Sequence, residues 1–195
     1  ISMLDCQISM LNYMATMHFL SGDSPTPIGN AHFVHVPYNS YATSDGHIII
    51  AVIFDSFWLN LLEVIDYEPF RDEKYLTQPG RLADKILIDA KLGEIFSTNT
   101  SEFWLAQLQE KRIPSARVNQ LGEALADEQV LSRNMVVDLY HPNGNHTKGP
   151  GNPIKLSRNS EESFSPAPLL GEHTNDVLSN VLGYPEDRIV SLKAE

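Results

Sequence analysis

The residues best suited to chemistry lie between Asn30 and Tyr41. Asn30, His32, His35, Tyr38, Asn39 and Tyr41 set amide, imidazole and phenol groups beside aromatic surface. Such a set can line a polar ligand pocket, and it suits the seal of a domain boundary equally well. The seven histidines are His18, His32, His35, His47, His141, His146 and His173. Only His32 and His35 are near enough in sequence for a simple metal reading. No third ligand stands close by, so local hydrogen bonding is the better reading and no metal is expected. There is no glycine-rich phosphate loop of the Walker or dinucleotide type and no zincin motif. Ser40 lacks a nucleophile elbow around it. Cys6 sits in an apolar helical pattern and reads as a packing residue. A carboxylate such as Asp5 can form a covalent acyl intermediate, but its place in a first helical turn points to stabilisation of the helix end. No catalytic residue is assigned.

The elements that must position this segment follow from hydropathy and turn chemistry. The chain has 195 residues, 42% of them hydrophobic, with a formal net charge of −11. That size suits one medium domain, or a smaller one with extensions. The negative field disfavours a nucleic-acid partner. A single cysteine excludes an internal disulfide and fits a reducing, cytoplasmic compartment. Leu4, Ile8, Leu11 and Ala15 predict a helix from Ser2 to Leu20, ended by Gly22. Polar interruptions exclude a signal peptide or a membrane span there. A first residue, Ile1, already inside a helical pattern points to upstream sequence that is missing; a processed or renumbered start is the alternative.

Residues 22–40 read as a polar loop carrying Pro25, Pro27 and Pro37. Asp45-Gly46 is a turn, and His47–Phe54 reads as a strand buried on both faces. Asp55 or Ser56 caps a helix bearing Trp58, Leu61, Leu62 and Ile65. A helix over 80–96 has Leu82, Ile86, Ala90, Leu92 and Phe96 along a broad apolar face. Another over 100–110 is capped by Asn99 with Glu102 and carries Trp104, Leu105 and Leu108. Arg117-Val118 is extended, and Leu121–Ala126 is a short helix. Met135–Tyr140 is a strand, His141–His146 a turn, and further strands fall near 147–148 and 152–156. Residues 157–170 read as a connector, and Thr174–Leu182 as a last helix stopped by Gly183. This order favours an α+β fold over a doubly wound sheet. The terminal helices are expected to pack on something outside the central core.

The segment from Gly22 through Ala51 resembles the class III CoA-transferases, the CaiB/BaiF family. The pieces are Gly22, Pro25, Gly29-Asn30, Pro37-Tyr38, Thr43, Asp45-Gly46 and the isoleucine-rich run. Phe57-Trp58, Arg81, Ile113-Pro114 with Val118, Pro153–Ser157, Ala167–Thr174 and Leu182-Gly183-Tyr184 follow in order. The resemblance implies a small α/β domain inserted into a large Rossmann-like domain built from both chain ends. On it, residues 1–21 form a helix of the large domain, 22–44 a linker and cleft loop, 45–156 the small domain, and 157–195 the return linker and C-terminal helix. It implies CoA transfer between carboxylic acids through an aspartyl anhydride and thioester, with acyl-CoA as substrate and no tightly bound cofactor. It also implies an interlocked homodimer. The aspartate of that mechanism has no match here, so this part of the chain is expected to be inactive alone. Asn30, His35, Tyr38, Asn39 and Tyr41 become candidates for shaping the substrate cleft. The same family includes 2-methylacyl-CoA racemases, and a non-catalytic interaction module is the third alternative.

Overall fold

In a computed structural model, residues 1–158 and 163–194 are described. The chain forms two compact units, Ile1–Val118 and Asn119–Glu195. Both combine helices with small antiparallel sheets, giving the α+β fold expected.

The first unit opens with α1 (Met3–Met10) and α2 (Tyr13–Ser21) rather than one continuous helix. The break falls at Asn12, whose φ of 50° leaves the helical region. Asparagine tolerates that conformation better than most side chains. Gly22 ends α2 at φ 77°, its amide donating to the His18 carbonyl over 2.8 Å. Neither helix buries a residue. Cys6, read from sequence as a packing residue, is exposed, as are Met3, Met10 and Met17.

Three antiparallel strands follow in the order β1 (Tyr38–Ala42), β2 (His47–Ala51) and β3 (Ser115–Arg117). The Asp45-Gly46 turn joins β1 to β2, with Ala42 opposite His47 and Tyr38 opposite Ala51. The segment read as loop through Ser40 thus contains an edge strand. β2 is shorter than expected and buried on one face within this unit. Ile48 and Ile50 are fully buried, while Ile49 remains 39% exposed. Helices cover only the Ile48 side, so the other face stays open and polar residues of β1 share it.

The helices on the covered side are α3 (Asp55–Ile65), α4 (Gln78–Ala83), α5 (Lys85–Phe96) and α6 (Ser101–Glu110). Two 3₁₀ turns, Glu68–Arg71 and Glu73–Leu76, link α3 to α4. The core joins Tyr41, Ile48, Ile50 and Val52 to Trp58, Leu61, Ile88, Leu92, Phe96 and Leu108. A fully buried side chain such as Leu61 or Ile88 contributes about 1.5–3 kcal/mol by leaving water. The predicted helix over 80–96 is broken at Asp84, and its stripe runs through Ile88, Leu92 and Phe96. Ile86, placed on that face from sequence, is 88% exposed, because it lies about 200° around α5 from the buried Ile88. α6 is capped by Thr100, whose hydroxyl accepts from the Phe103 amide over 3.3 Å, not by Asn99.

In the second unit, α7 (Leu121–Ala126) starts with a capping box between Gln120 and Glu123. Asp127 caps α8 (Glu128–Ser132). The hairpin of β4 (Val136–Tyr140) and β5 (His146–Pro150) turns through Gly144 at φ 88°. Residues 152–156, expected to form a strand, do not. Of the connector 157–170, residues 159–162 lie outside the described residues. A short helix, α9 (Thr174–Asp176), continues as a π-helical turn over Val177–Val181, and Gly183 follows at φ 66°. A final helix, α10 (Glu186–Ala194), was not expected from sequence. Among the described residues, no helix is long and apolar enough to cross a membrane.

Candidate functional site

The segment leading into β1 is held from several sides. The Val52 amide donates to the Pro37 carbonyl over 2.9 Å, and the His32 amide donates to the Tyr38 carbonyl over 2.8 Å. From α4, the Gln78 side-chain amide donates to the Val34 carbonyl, and Arg81 Nε donates to the Val36 carbonyl over 2.8 Å. Arg81 is fully buried. Its remaining nitrogens donate to the Tyr75 carbonyl (2.8 Å), Asp55 Oδ1 (2.7 Å) and Gln78 Oε1 (2.8 Å). Its guanidinium also lies over the Trp58 ring, 5.3 Å from the centroid. One side chain therefore ties this segment to α3, α4 and the 3₁₀ turn before α4.

Strand alternation then divides the candidate residues between the two faces of the sheet. On the open face, Asn30, Tyr38, Ser40, His47, Ile49 and Val118 line a groove of about 630 Å³. Asn30 Nδ2 donates to Ser40 Oγ over 3.1 Å, which fixes the loop across the strand. Among the described residues, no lysine or arginine lines this groove. It offers hydroxyl, amide and imidazole groups, a surface for a polar ligand held by hydrogen bonds.

Asn39 and Tyr41 point to the other face and meet Asp89 of α5. Asn39 Nδ2 lies 3.4 Å from Asp89 Oδ2, the Tyr41 hydroxyl donates to Oδ1, and Lys85 pairs with the same carboxylate. Burial and the Asp89 carboxylate push the Tyr41 pKa far up, so its phenol is a fixed hydrogen-bond donor. His35 stands apart from the groove. Its ring lies 4.7 Å from His32, and its buried Nδ1 has no hydrogen-bond partner among the described residues. The structure thus brings Asn30 and Tyr38 together and places His35, Asn39 and Tyr41 elsewhere.

Asp45 anchors the turn to α6. It accepts from the Ser101 amide (2.7 Å), the Ser101 hydroxyl (2.9 Å) and the Thr43 hydroxyl (3.0 Å). The Ser101 bonds hold its carboxyl below the usual range. Asp5 lies in the first turn of α1, its amide bonded to the capping Ser2 hydroxyl at 3.3 Å. Among the described residues, no group of three or more metal-ligating side chains is assembled.

Sequence reasoning did not single out Ser40, His47, Arg81, Lys85 or Asp89 for these places. Asp89 carried a usable signal, since it falls on the Ile88–Leu92–Phe96 stripe of α5 and an acid on an apolar stripe needs partners. His47 follows from the register, because the residue opposite Ala42 shares the face of Ser40.

Comparison with known proteins bears on this geometry. A family model described as CoA-transferase family III matches residues 1–174. A succinate–glutarate CoA-transferase of Agrobacterium fabrum is 31% identical over 185 residues, covering 92% of this chain and 45% of that protein. Human succinyl-CoA:glutarate CoA-transferase is 26% identical over 190 residues, 97% of this chain and 43% of its own length. A CaiB/BaiF family protein from Brucella suis superimposes with a TM-score of 0.73 at 30% identity, over 90% of this chain and 46% of that one. The chain spans less than half the length of these proteins.

Proposed function

The chain belongs to CoA-transferase family III, and on that premise we propose that it is part of an enzyme moving CoA between carboxylic acids. The observation that carries this reading is the family match over residues 1–174, which takes in the whole loop, sheet and groove. The relatives named for succinyl-CoA and glutarate favour dicarboxylic acids as donor and acceptor. Coenzyme A thioesters are substrates in this scheme, and no tightly bound cofactor is needed.

The proposed chemistry uses an aspartate outside residues 1–195. Its carboxylate attacks the donor thioester carbonyl, breaking the C–S bond to give a mixed anhydride and CoA thiolate. The thiolate then attacks the aspartyl carbonyl, releasing the donor acid and leaving an enzyme thioester. The acceptor carboxylate attacks that thioester, forms a second anhydride and frees CoA thiolate. Attack of the thiolate on the acceptor acyl carbonyl yields the new acyl-CoA and restores the aspartate. Covalent catalysis divides one difficult exchange into easier acyl transfers. Neither Asp5 nor Asp45 takes that role. Asp45 is committed to Ser101 and Thr43, and Asp5 lies in the first turn of α1.

Within this scheme the open-face groove is one wall of the acyl-CoA cleft. Asn30 and Tyr38 line it, while Asn39, Tyr41 and His35 shape it from behind by holding the strand and loop. The domain limits follow the family pattern, with residues 45–156 in a small domain and 1–21 and 157–195 returning to a large one. Exposed Met3, Leu4, Ile8, Met10, Phe19 and Leu20 supply apolar surface for that large domain and an interlocked homodimer. Steady-state kinetics of the protein extended on the N-terminal side of Ile1, with succinyl-CoA and glutarate, tests the wall. Asn30→Ala and Tyr38→Phe should raise KM for the acyl-CoA several-fold with kcat little changed, because uniform binding is lost. Unchanged KM in both variants would remove the groove from the cleft.

A further inference from the structure

His32 is bonded through one ring nitrogen to two amides of its own loop. The Val34 and His35 amides each lie 3.0 Å from His32 Nδ1. Backbone amides only donate, so Nδ1 carries no proton and the neutral ring holds its proton on Nε2. Nδ1 is placed as the Oδ1 of an asparagine would be in an Asx turn, accepting from amides a few residues on. The ring is clamped as well. Phe33 stacks at 4.5 Å and 19°, Tyr38 at 5.2 Å and 15°, and the His32 amide holds the Tyr38 carbonyl. Tyr38 in turn lines the open-face groove.

We propose that neutral His32 is a positioning residue that latches the His32–Tyr38 loop beside the groove, and that protonation of its Nδ1 releases the latch. A proton on Nδ1 removes the acceptor of two amides and turns an N–H toward both. The titratable and charged groups set around the ring are few. His35 faces it from the loop and Tyr38 from β1, with Tyr13 of α2 reached through Phe33. Gln78 and Arg81 of α4 bind the neighbouring Val34 and Val36 carbonyls rather than the ring. Burial and then His35 lower the His32 pKa. A lowered folded-state pKa means the latch is complete above the unfolded value of about 6.5 and is lost as pH falls through the folded one.

Only the catalytic consequence rests on the cleft proposed above; the latch itself is read from amide protection. Hydrogen exchange at Val34 and His35, corrected for intrinsic rates, is followed by NMR from about pH 8 to about pH 5. The ring nitrogen shifts report the tautomer and titration of His32. Protection of both amides should fall about tenfold as His32 titrates, the worth of a lost hydrogen bond. His32→Asn should keep protection flat with pH, since its amide oxygen accepts the same bonds without titrating. His32→Ala should lose protection at every pH. Unchanged protection across the His32 titration, or an Asn variant as unprotected as Ala, overturns the latch. If the Ala variant does not fold, the wild-type titration and the Asn variant still decide. For acyl transfer, kcat/KM should show an acid limb that His32→Asn removes. A latch that opens without that limb leaves the positioning role refuted and the local geometry intact.

Discussion

Replacing Arg81 by methionine removes a fully buried guanidinium while keeping most of its apolar volume. The Val36 and Tyr75 carbonyls belong to residues that are 0% and 4% exposed, so water replaces the lost donor poorly. A hydrogen bond from a charged donor is worth about 1.5–3 kcal/mol, which gives about 3–6 kcal/mol for the two. Asp55 adds little, because its side chain is 58% exposed and recovers water when released. Relief of the guanidinium's own desolvation offsets part of the loss. The expected cost is therefore about 3–4 kcal/mol. Lysine keeps the charge but not the planar fork, so Arg81→Lys should cost about half as much. Trp58 and Trp104 both lie in the first unit and report its unfolding by fluorescence. With a urea slope of about 2 kcal/mol/M, the methionine variant's midpoint should fall by about 1.5–2 M. A fall under about 0.5 M would refute the hub role of Arg81.

Three further outcomes follow from the same contacts. Gly80→Ala would put a Cβ 1.7 Å from the Lys74 carbonyl oxygen, so α4 must move off the preceding 3₁₀ turn. The cost should be about 3 kcal/mol or more by urea unfolding, against near neutrality for Gly93→Ala, whose Cβ meets nothing. Tyr41→Phe should destabilise by about 1.5–3 kcal/mol, and a double-mutant cycle with Asp89→Asn should show strong coupling; additive effects would deny the bond. Asp45→Asn should lower stability near neutral pH and converge with wild type in acid. The folded-state pKa of Asp45 is depressed, so its contribution is present above the unfolded value of about 3.9 and disappears as pH falls through the folded value. A constant difference in melting temperature from pH 7 downward would contradict that assignment.

The parts of the fold legible in sequence were those governed by short-range rules. Gly22 and Gly183 both take positive φ where a helix stop was expected, and Trp58 and Trp104 are buried as their helical spacing requires. Turn chemistry at Asp45-Gly46 and at His141–His146 placed two hairpins. β1 was missed because Tyr38–Ala42 is an edge strand, and its polar alternation serves an open face and a buried acid rather than a plain core. Leu92 and Phe96 are buried on α5 as read from sequence, but Ile86 faces out, because it lies about 200° around the helix from the buried Ile88. For the site, the loop was visible from residue types, but its division was not. Whether Tyr38 and Tyr41 share a pocket depends on the strand's period of two, which sets Tyr41 on Asp89 and Tyr38 over the groove. Arg81 was legible as a position and not as a role, since its acceptors are carbonyls 45 and 6 residues away in sequence.

Trapping the acylated enzyme tests whether the proposed CoA transfer uses a nucleophile outside residues 1–195. The protein extended on the N-terminal side of Ile1 and residues 1–195 alone are each incubated with succinyl-CoA and glutarate. Hydroxylamine then converts any enzyme thioester to a hydroxamate, which is mapped by peptide mass spectrometry. The expected products are glutaryl-CoA from the extended protein and a hydroxamate on an aspartate preceding Ile1, with neither from residues 1–195. Glutaryl-CoA from residues 1–195 alone, or a hydroxamate on Asp5 or Asp45, would contradict the proposal.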